Sequence, residues 1–182
     1  MNTFIILLRG INVGGHKKIP MAELRQLLTN SGFSNVKTYI QSGNIILQSS
    51  VLDKSKIERI IQKQISDHFG FDVPVIAKTS VELIRIFDAY PFSKVKKEQS
   101  YFVILRDIPQ PELVKKASEK TFDNEEFVII EDCLYFHSSK GYGRSKFNMN
   151  AFEKILKVKA TSRNYKTMLK LIAMSSENEK DH

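Results

Sequence analysis

The chain opens with an apolar run that leads into a glycine-rich loop carrying basic residues. This block reads FIILLRGINVGGHKKIPM from Phe4 to Met21, with three glycines and two adjacent lysines in its loop. Pro20 stands where an amphipathic segment begins, a position at which helices often place proline. A strand, a glycine loop and a helix in this order present backbone N–H groups and positive charge to an anion. The block therefore predicts a site for a negatively charged group, and it specifies no reaction.

Apolar periodicity predicts an α+β fold built from two ferredoxin-like α/β sandwich halves. Residues 1–78 read β-α-β-β-α-β, with a tight two-residue hairpin turn at Ser42–Gly43. Residues 79–99 read as a short helix and an exposed linker. Residues 100–175 read β-α-β-β-α-α, so a helix takes the place of the closing strand of that half. Residues 176–182 read as a polar tail.

Positive charge is concentrated in one part of the chain. The formal net charge is +8, and residues 140–170 contain nine lysines and arginines against one glutamate, which accounts for the whole excess. An acidic patch lies just upstream and consists of Glu119, Asp123, Glu125, Glu126, Glu131 and Asp132. A localised basic face can attract phosphates or nucleic acid over a distance. The alternative is a solvated lysine-rich surface.

Several classes of protein are disfavoured by what the sequence lacks. A single cysteine, Cys133, excludes an internal disulfide and any multi-cysteine metal site. The four histidines show no ligand spacing, so no metal and no cofactor are predicted. No run approaches the ~18 apolar residues that span a bilayer, and no signal peptide is evident. We expect a cytoplasmic protein without a membrane partner, whose oligomeric state the sequence leaves open.

Four blocks could carry binding chemistry. The loop Gly10–Pro20 is not a P-loop, because Lys18 follows Lys17 where a serine or threonine is required. Its glycines could also serve only as turn residues. The second block is Tyr39–Asn44, where a pure turn is again the alternative. The third, Lys140–Lys146, combines glycines with basic residues that could grip a phosphate.

The fourth block, Thr161–Asn164, is predicted to open the last helix. Thr161 or Ser162 would cap that helix. Arg163 would then lie in the first turn, where a cation opposes the helix dipole. This placement favours a nearby anion, with an acidic side-chain partner as the alternative.

At these four blocks the chain resembles a known family. They read LLRGINVGGHKKIPMAELR (Leu7–Arg25), YIQSGN (Tyr39–Asn44), GYGRSKF (Gly141–Phe147) and ATSRNYKTMLKL (Ala160–Leu171). In order and spacing they resemble the bacterial domain-of-unknown-function 1697 family over almost the whole chain. The resemblance implies a two-part α+β fold of ferredoxin-like halves and singles out the same four blocks, and it implies no activity. Tyr165 departs from the tryptophan that this family more often shows.

The residues and the resemblance together define one candidate site. Its predicted anion-binding or ligand-binding residues are Arg9, Asn12, Gly14, Gly15, Lys17, Ser42, Gly43, Asn44, Arg144, Ser145, Lys146, Arg163 and Asn164. The leading hypothesis is that they bind a phosphate-bearing small molecule or nucleotide, with or without turnover, in a basic cleft between the two halves. The alternative is a nucleic-acid-binding protein that uses the basic face of residues 140–170. A structural interaction domain is a third interpretation.

Overall fold

The computed structural model describes residues 1–139, 141 and 145–180 of the 182-residue chain. The chain divides into two compact units. The first unit comprises Met1–Leu83 and Lys170–His182, and the second comprises Ile84–Leu169.

The first unit contains four strands and two complete helices. In chain order these are β1 (Asn2–Leu8), α1 (Met21–Asn30), β2 (Ser34–Tyr39), β3 (Asn44–Ser49), α2 (Lys54–Phe69) and β4 (Val75–Thr79). The strands form one antiparallel sheet in the order β2-β3-β1-β4. Each helix therefore connects two strands that have a third strand between them, which is the split βαβ arrangement.

Strand β1 is buried on both of its faces. Phe4, Ile6 and Leu8 belong to the hydrophobic core that α1 and α2 complete. Ile5 and Leu7, which point to the opposite face of the sheet, are fully buried as well. This explains why the strand reads as a continuous apolar run instead of alternating with polar residues.

The second unit repeats the same sheet order. Its elements, including two helices shared with the first unit, are α3 (Ser80–Asp88), α4 (Lys94–Lys97), β5 (Ser100–Leu105), α5 (Pro111–Ser118), β6 (Glu125–Ile130), β7 (Cys133–Ser138), α6 (Met149–Leu156), β8 (Ala160–Asn164) and α7 (Tyr165–Lys180). The antiparallel order β6-β7-β5-β8 is the order of the first sheet. The two boundaries between the units fall inside α3 and α7.

The predicted α+β fold with two ferredoxin-like halves is confirmed, with one correction to the second half. That half also closes with a strand, because Ala160–Asn164 forms β8 and pairs with β5. Thr161 and Arg163 lie opposite Ile104 and Phe102 in this pairing and are buried. Their polar side chains suggested a helix start, whereas pairing with a distant strand determines the observed conformation.

The polar end of the chain is helical as far as the structure describes it. Helix α7 continues to Lys180, although the sequence predicts a tail from residue 176. Ser175 and Asn178 are fully buried. Gln48 Nε2 on β3 donates a hydrogen bond of 2.8 Å to the Asn178 carbonyl, which fixes the last turns of α7 to the first sheet.

A substitution at Gly43 tests how closely the connection between β2 and β3 packs against β1. Gly43→Ala should destabilise the fold by about 3 kcal/mol, because the new Cβ would lie 2.6 Å from Leu8 Cβ at a φ of +80°. Gly70 is a matched control, since its φ is +79° and nothing lies within 4 Å of an added Cβ. Gly70→Ala should cost only about 1 kcal/mol from the left-handed backbone. Urea unfolding measures both, and equal losses would contradict the role of the Leu8 contact.

Candidate loop site and the sequence motifs

The glycine loop after β1 folds into a tight turn of its own. His16 N donates a hydrogen bond of 3.0 Å to the Val13 carbonyl, and the two residues form an isolated antiparallel bridge. Gly14 and Gly15, the central residues of this turn, have φ values of +58° and +77°. Positive φ at both central residues is the signature of a type I′ turn, which strongly favours glycine. The turn thus accounts for both glycines without a ligand.

The Asn12 side chain closes this loop and ties it to the β2–β3 connection. Its Oδ1 accepts a hydrogen bond of 2.9 Å from Ile19 N, and its Nδ2 donates one of 3.0 Å to the Ile19 carbonyl. The same Nδ2 donates a second bond of 2.9 Å to the Gln41 carbonyl. Asn12 therefore joins the first two sequence blocks in one cluster. We call Gly10–Pro20 and Ile40–Gly43 together the loop cluster.

The connection between β2 and β3 is longer than predicted. It contains four residues, Ile40–Gly43, instead of a two-residue turn at Ser42–Gly43. Positive φ values occur at both ends of the loop, +50° at Ile40 and +80° at Gly43. The Asn44 side chain is fully buried, and its Nδ2 donates hydrogen bonds to Ser42 Oγ (2.9 Å) and to the Tyr39 carbonyl (3.2 Å). The buried asparagine stabilises the wider loop from within.

A cavity of about 380 Å³ opens at the loop cluster. It is lined by Asn12, Gly15, Lys18, Ile19, Pro20 and Gln41. Helix α1 begins directly after Pro20, and this N-cap residue forms no side-chain capping hydrogen bond. The first N–H groups of a helix have no partner within the helix itself, so they are available to an acceptor.

The two adjacent lysines of this loop have different surroundings. Lys17 Nζ donates a hydrogen bond to the Asp72 carbonyl and lies 6.0 Å from the centre of the Phe71 ring. This interaction holds Lys17 against the segment that precedes β4. Arg9 contacts the same segment through its backbone N–H, which donates to the Pro74 carbonyl at 3.2 Å. Lys18 is exposed and lines the cavity. In the sequence Lys18 only breaks the P-loop pattern, but its position two residues before Pro20 places it near the predicted start of a helix.

The third block is only partly described. Arg144 lies outside the described residues, together with Lys140, Tyr142 and Gly143. Ser145 Oγ is buried and has no hydrogen-bond partner among the residues that the structure describes. Lys146 N donates a hydrogen bond of 2.9 Å to Glu125 Oε1, and Lys146 Nζ lies 3.7 Å from the Asp123 carboxylate. Glu125 thus binds the backbone of Lys146, and Asp123 lies close to its ammonium group.

Arg163 lies on strand β8 and not in the first turn of a helix. The argument from the helix dipole therefore does not apply to it. Its side chain is 7 % exposed, and Nη1 donates to Thr161 Oγ1 at 2.7 Å and to the Ser162 carbonyl at 2.8 Å. Burial lowers the pKa of Arg163 to about 10, because a desolvated guanidinium loses hydration that stabilises its charge.

The cap of the last helix is Asn164, not Thr161 or Ser162. Asn164 Oδ1 accepts a hydrogen bond of 2.9 Å from Thr167 N, three residues along. This is the pattern of an asparagine N-cap. The prediction placed the cap too early in the chain because three neighbouring residues in the segment have side chains that can cap a helix.

The predicted site residues are therefore divided between the two units. The first unit holds Arg9, Asn12, Gly14, Gly15, Lys17, Ser42, Gly43 and Asn44, and the second holds Ser145, Lys146, Arg163 and Asn164. Within the first unit, Asn12 brings the first two blocks into contact. A common cleft between the halves stays a prediction.

Two further features bear on the class of site. Across the described residues, no group of three or more histidine, cysteine, aspartate or glutamate side chains could hold a metal ion. In the same part of the chain, no helix has the length and apolar character needed to cross a membrane.

Comparisons with known proteins support the family and the fold. The chain belongs to the family described as "Protein of unknown function (DUF1697)", whose model matches residues 1–135. A solved structure, that of the conserved bacterial protein SP0830 from Streptococcus pneumoniae, has a similar fold with a TM-score of 0.75 and 22% sequence identity. The match covers 97% of this chain and 99% of that one. The likeness extends over both units and concerns the fold.

Asn12 can be tested as the clamp of the loop cluster. Asn12→Ala removes three side-chain hydrogen bonds, and its φ of +54° favours asparagine over alanine. We expect a loss of about 2–3 kcal/mol in the free energy of unfolding. The control is Asn30→Ala, which removes one exposed bond to Gln26 and should change stability by less than ~1 kcal/mol. Similar losses for the two variants would show that Asn12 is not a clamp.

Proposed function

We propose that the protein binds a phosphate-bearing small molecule or nucleotide at the loop cluster. The observation that carries this proposal is the cavity beside the uncapped start of α1, with Lys18 on its wall. Backbone N–H groups at a helix start and a nearby ammonium group are a recurrent way of holding a phosphate. The ligand's phosphate would occupy the space between Lys18 and the first turn of α1.

The motif residues then divide into two roles. Asn12, Gly14, Gly15 and Gly43 shape and join the loops, so their main role would be to position the site. Lys18, backbone N–H groups and the Gln41 side chain would contact the ligand directly. Truncating a positioning residue should weaken folding and binding together, whereas truncating a contact residue should weaken binding alone.

The cavity supports binding better than turnover. None of its six lining residues is a carboxylate, a histidine or a serine. General acid–base catalysis needs a titratable side chain within hydrogen-bonding reach of the reacting group, and nucleophilic catalysis needs an activated nucleophile. We therefore propose no reaction at this site.

Adjacent lysines offer a matched test of the proposal. Lys18→Met should leave the unfolding temperature unchanged and weaken binding of pyrophosphate or a nucleoside diphosphate about fivefold, as expected for one screened charge. Lys17→Met should lower stability, because it removes the bond to the Asp72 carbonyl, and should leave ligand affinity unchanged. Thermal melts and isothermal titration calorimetry on the full chain measure both quantities.

Two outcomes would contradict the proposal. One is that orthophosphate, pyrophosphate and nucleotides all fail to raise the unfolding temperature of the parent protein at millimolar concentration. The other is that Lys18→Met binds these anions as tightly as the parent does. Either result would leave the loop cluster as a structural network.

A second candidate function is nucleic-acid binding by the basic face of residues 140–170. It is favoured by exposed lysines in this window, among them Lys154, Lys157, Lys159, Lys166 and Lys170. Two other cations of the window are less available, since Lys146 lies near Asp123 and Arg163 is buried. An aromatic-rich RNA-binding signature is absent from the sequence, so any contact would be mainly to phosphates.

Salt dependence tests this second candidate. If five lysines contact single-stranded nucleic acid, the affinity should fall about 100-fold as salt rises from ~50 mM to ~200 mM, because binding releases condensed counterions. A fluorescence anisotropy titration with a labelled single-stranded oligonucleotide provides the measurement. Absence of binding at the lower salt concentration would remove the candidate.

A further inference from the structure

A second cavity, of about 530 Å³, lies in the second unit where α6 ends and β8 begins. Its lining residues are Asn150, Glu153, Lys154, Lys157, Val158 and Lys159. None of them belongs to the loop cluster or to the predicted site residues. We call this the lysine cavity.

Local backbone geometry explains why three lysines converge there. Lys154 lies in the last turn of α6, and Lys157 ends that helix with a left-handed conformation at a φ of +56°. This reversal turns the chain toward β8 within three residues, so Lys159 lines the same cavity. A left-handed residue after a helix is usually glycine or asparagine, so a lysine at this position is locally disfavoured.

The positive charge of the cavity is largely uncompensated. No ion pair involves Lys154, Lys157 or Lys159 in the part of the chain that the structure describes. Glu153 supplies the single negative charge of the lining, and its Oε1 accepts a hydrogen bond of 2.8 Å from Ala160 N. The negative end of the α6 dipole attracts nearby cations, but this effect fades within the last turn. Lys159 lies beyond that turn, so the dipole does not account for it.

We propose that the lysine cavity binds a compact anion carrying two or three linked phosphate groups. The three lysines that line the cavity carry charges of the same sign, and a polyvalent anion bound among them would offset their mutual repulsion. Each lysine can donate hydrogen bonds to a separate phosphate oxygen, as lysines do in phosphate sites. A single orthophosphate carries too little charge to match all three.

This inference goes beyond the proposed function and stands apart from it. It uses different residues in a different unit, so either proposal can fail alone. A concave surface favours a compact anion over an extended polynucleotide, which would follow a groove or a flat face. Preference for an oligonucleotide is therefore an outcome that counts against the inference.

The experiment measures binding of inorganic tripolyphosphate to the full chain by isothermal titration calorimetry. Three variants remove the charges singly, Lys154→Gln, Lys157→Asn and Lys159→Gln, and a fourth combines them. We expect a loss of about fivefold in affinity for each single variant and no measurable binding to this cavity in the combined variant. Lys157→Asn is the most informative single variant, because asparagine tolerates the left-handed backbone. It should weaken binding while it maintains or raises the unfolding temperature.

Two controls separate this cavity from other basic surfaces. Lys116→Gln removes an exposed lysine from the last turn of α5 and should leave tripolyphosphate binding unchanged. Lys18→Met, in the loop cluster, should leave binding to the lysine cavity intact. If Lys18→Met alone abolished all binding, the lysine cavity would be excluded and the proposed function would stand.

Three other results would overturn the inference. The combined variant could bind tripolyphosphate as tightly as the parent protein. Orthophosphate could bind as tightly as tripolyphosphate, which would mean that the three lysines do not act together. A single-stranded oligonucleotide could bind more tightly than tripolyphosphate at matched salt, which would assign these lysines to an extended polyanion.

Discussion

Burial of β1 on both faces is the constraint on which the first unit depends. The strand occupies the interior of its sheet, pairing with β3 on one side and β4 on the other. Where it ends, Leu8 N donates a hydrogen bond of 2.8 Å to the Gly43 carbonyl, so the glycine loop leaves the sheet beside the β2–β3 connection. The closeness of the two loops follows from this pairing, and Asn12 then secures it. A less apolar β1 could not be covered on both faces, and the loop cluster would lose its support.

Most conspicuous motif residues have a structural explanation in the fold. Gly14 and Gly15 form a type I′ turn, Gly43 packs against Leu8, and Asn164 caps α7. Glycine and asparagine attract attention in a sequence because they adopt backbone conformations that other residues avoid. Such residues indicate where the chain must turn sharply, and only indirectly where a ligand binds. The side chains best placed to contact an anion, Lys18 among them, are less distinctive.

The positively charged side chains of this protein differ in burial and in the groups that they contact. Arg163 is buried and hydrogen-bonded within its own strand, so it adds little to the surface potential. Lys17 and Lys146 contact a backbone carbonyl and a carboxylate, respectively. Exposed lysines include Lys18 on the loop cluster of the first unit and Lys154, Lys157 and Lys159 beside α6 in the second. The net charge therefore overstates how many of the cationic side chains are available at the surface.

The sequence by itself determined the elements whose causes are local. An unbroken apolar run located β1, and apolar periodicity located α1 and α2. Pro20 marked where α1 begins. These signals act within a few residues. The four motif blocks were also recognisable from the sequence. Only the tertiary structure decided that Thr161–Asn164 belongs to a strand, because its partner β5 lies more than fifty residues earlier. It also decided which lysine of the Lys17–Lys18 pair faces the cavity, since that depends on contact with the distant Asp72 carbonyl. Pairing between distant segments and the burial that accompanies it leave no periodic trace in the local sequence.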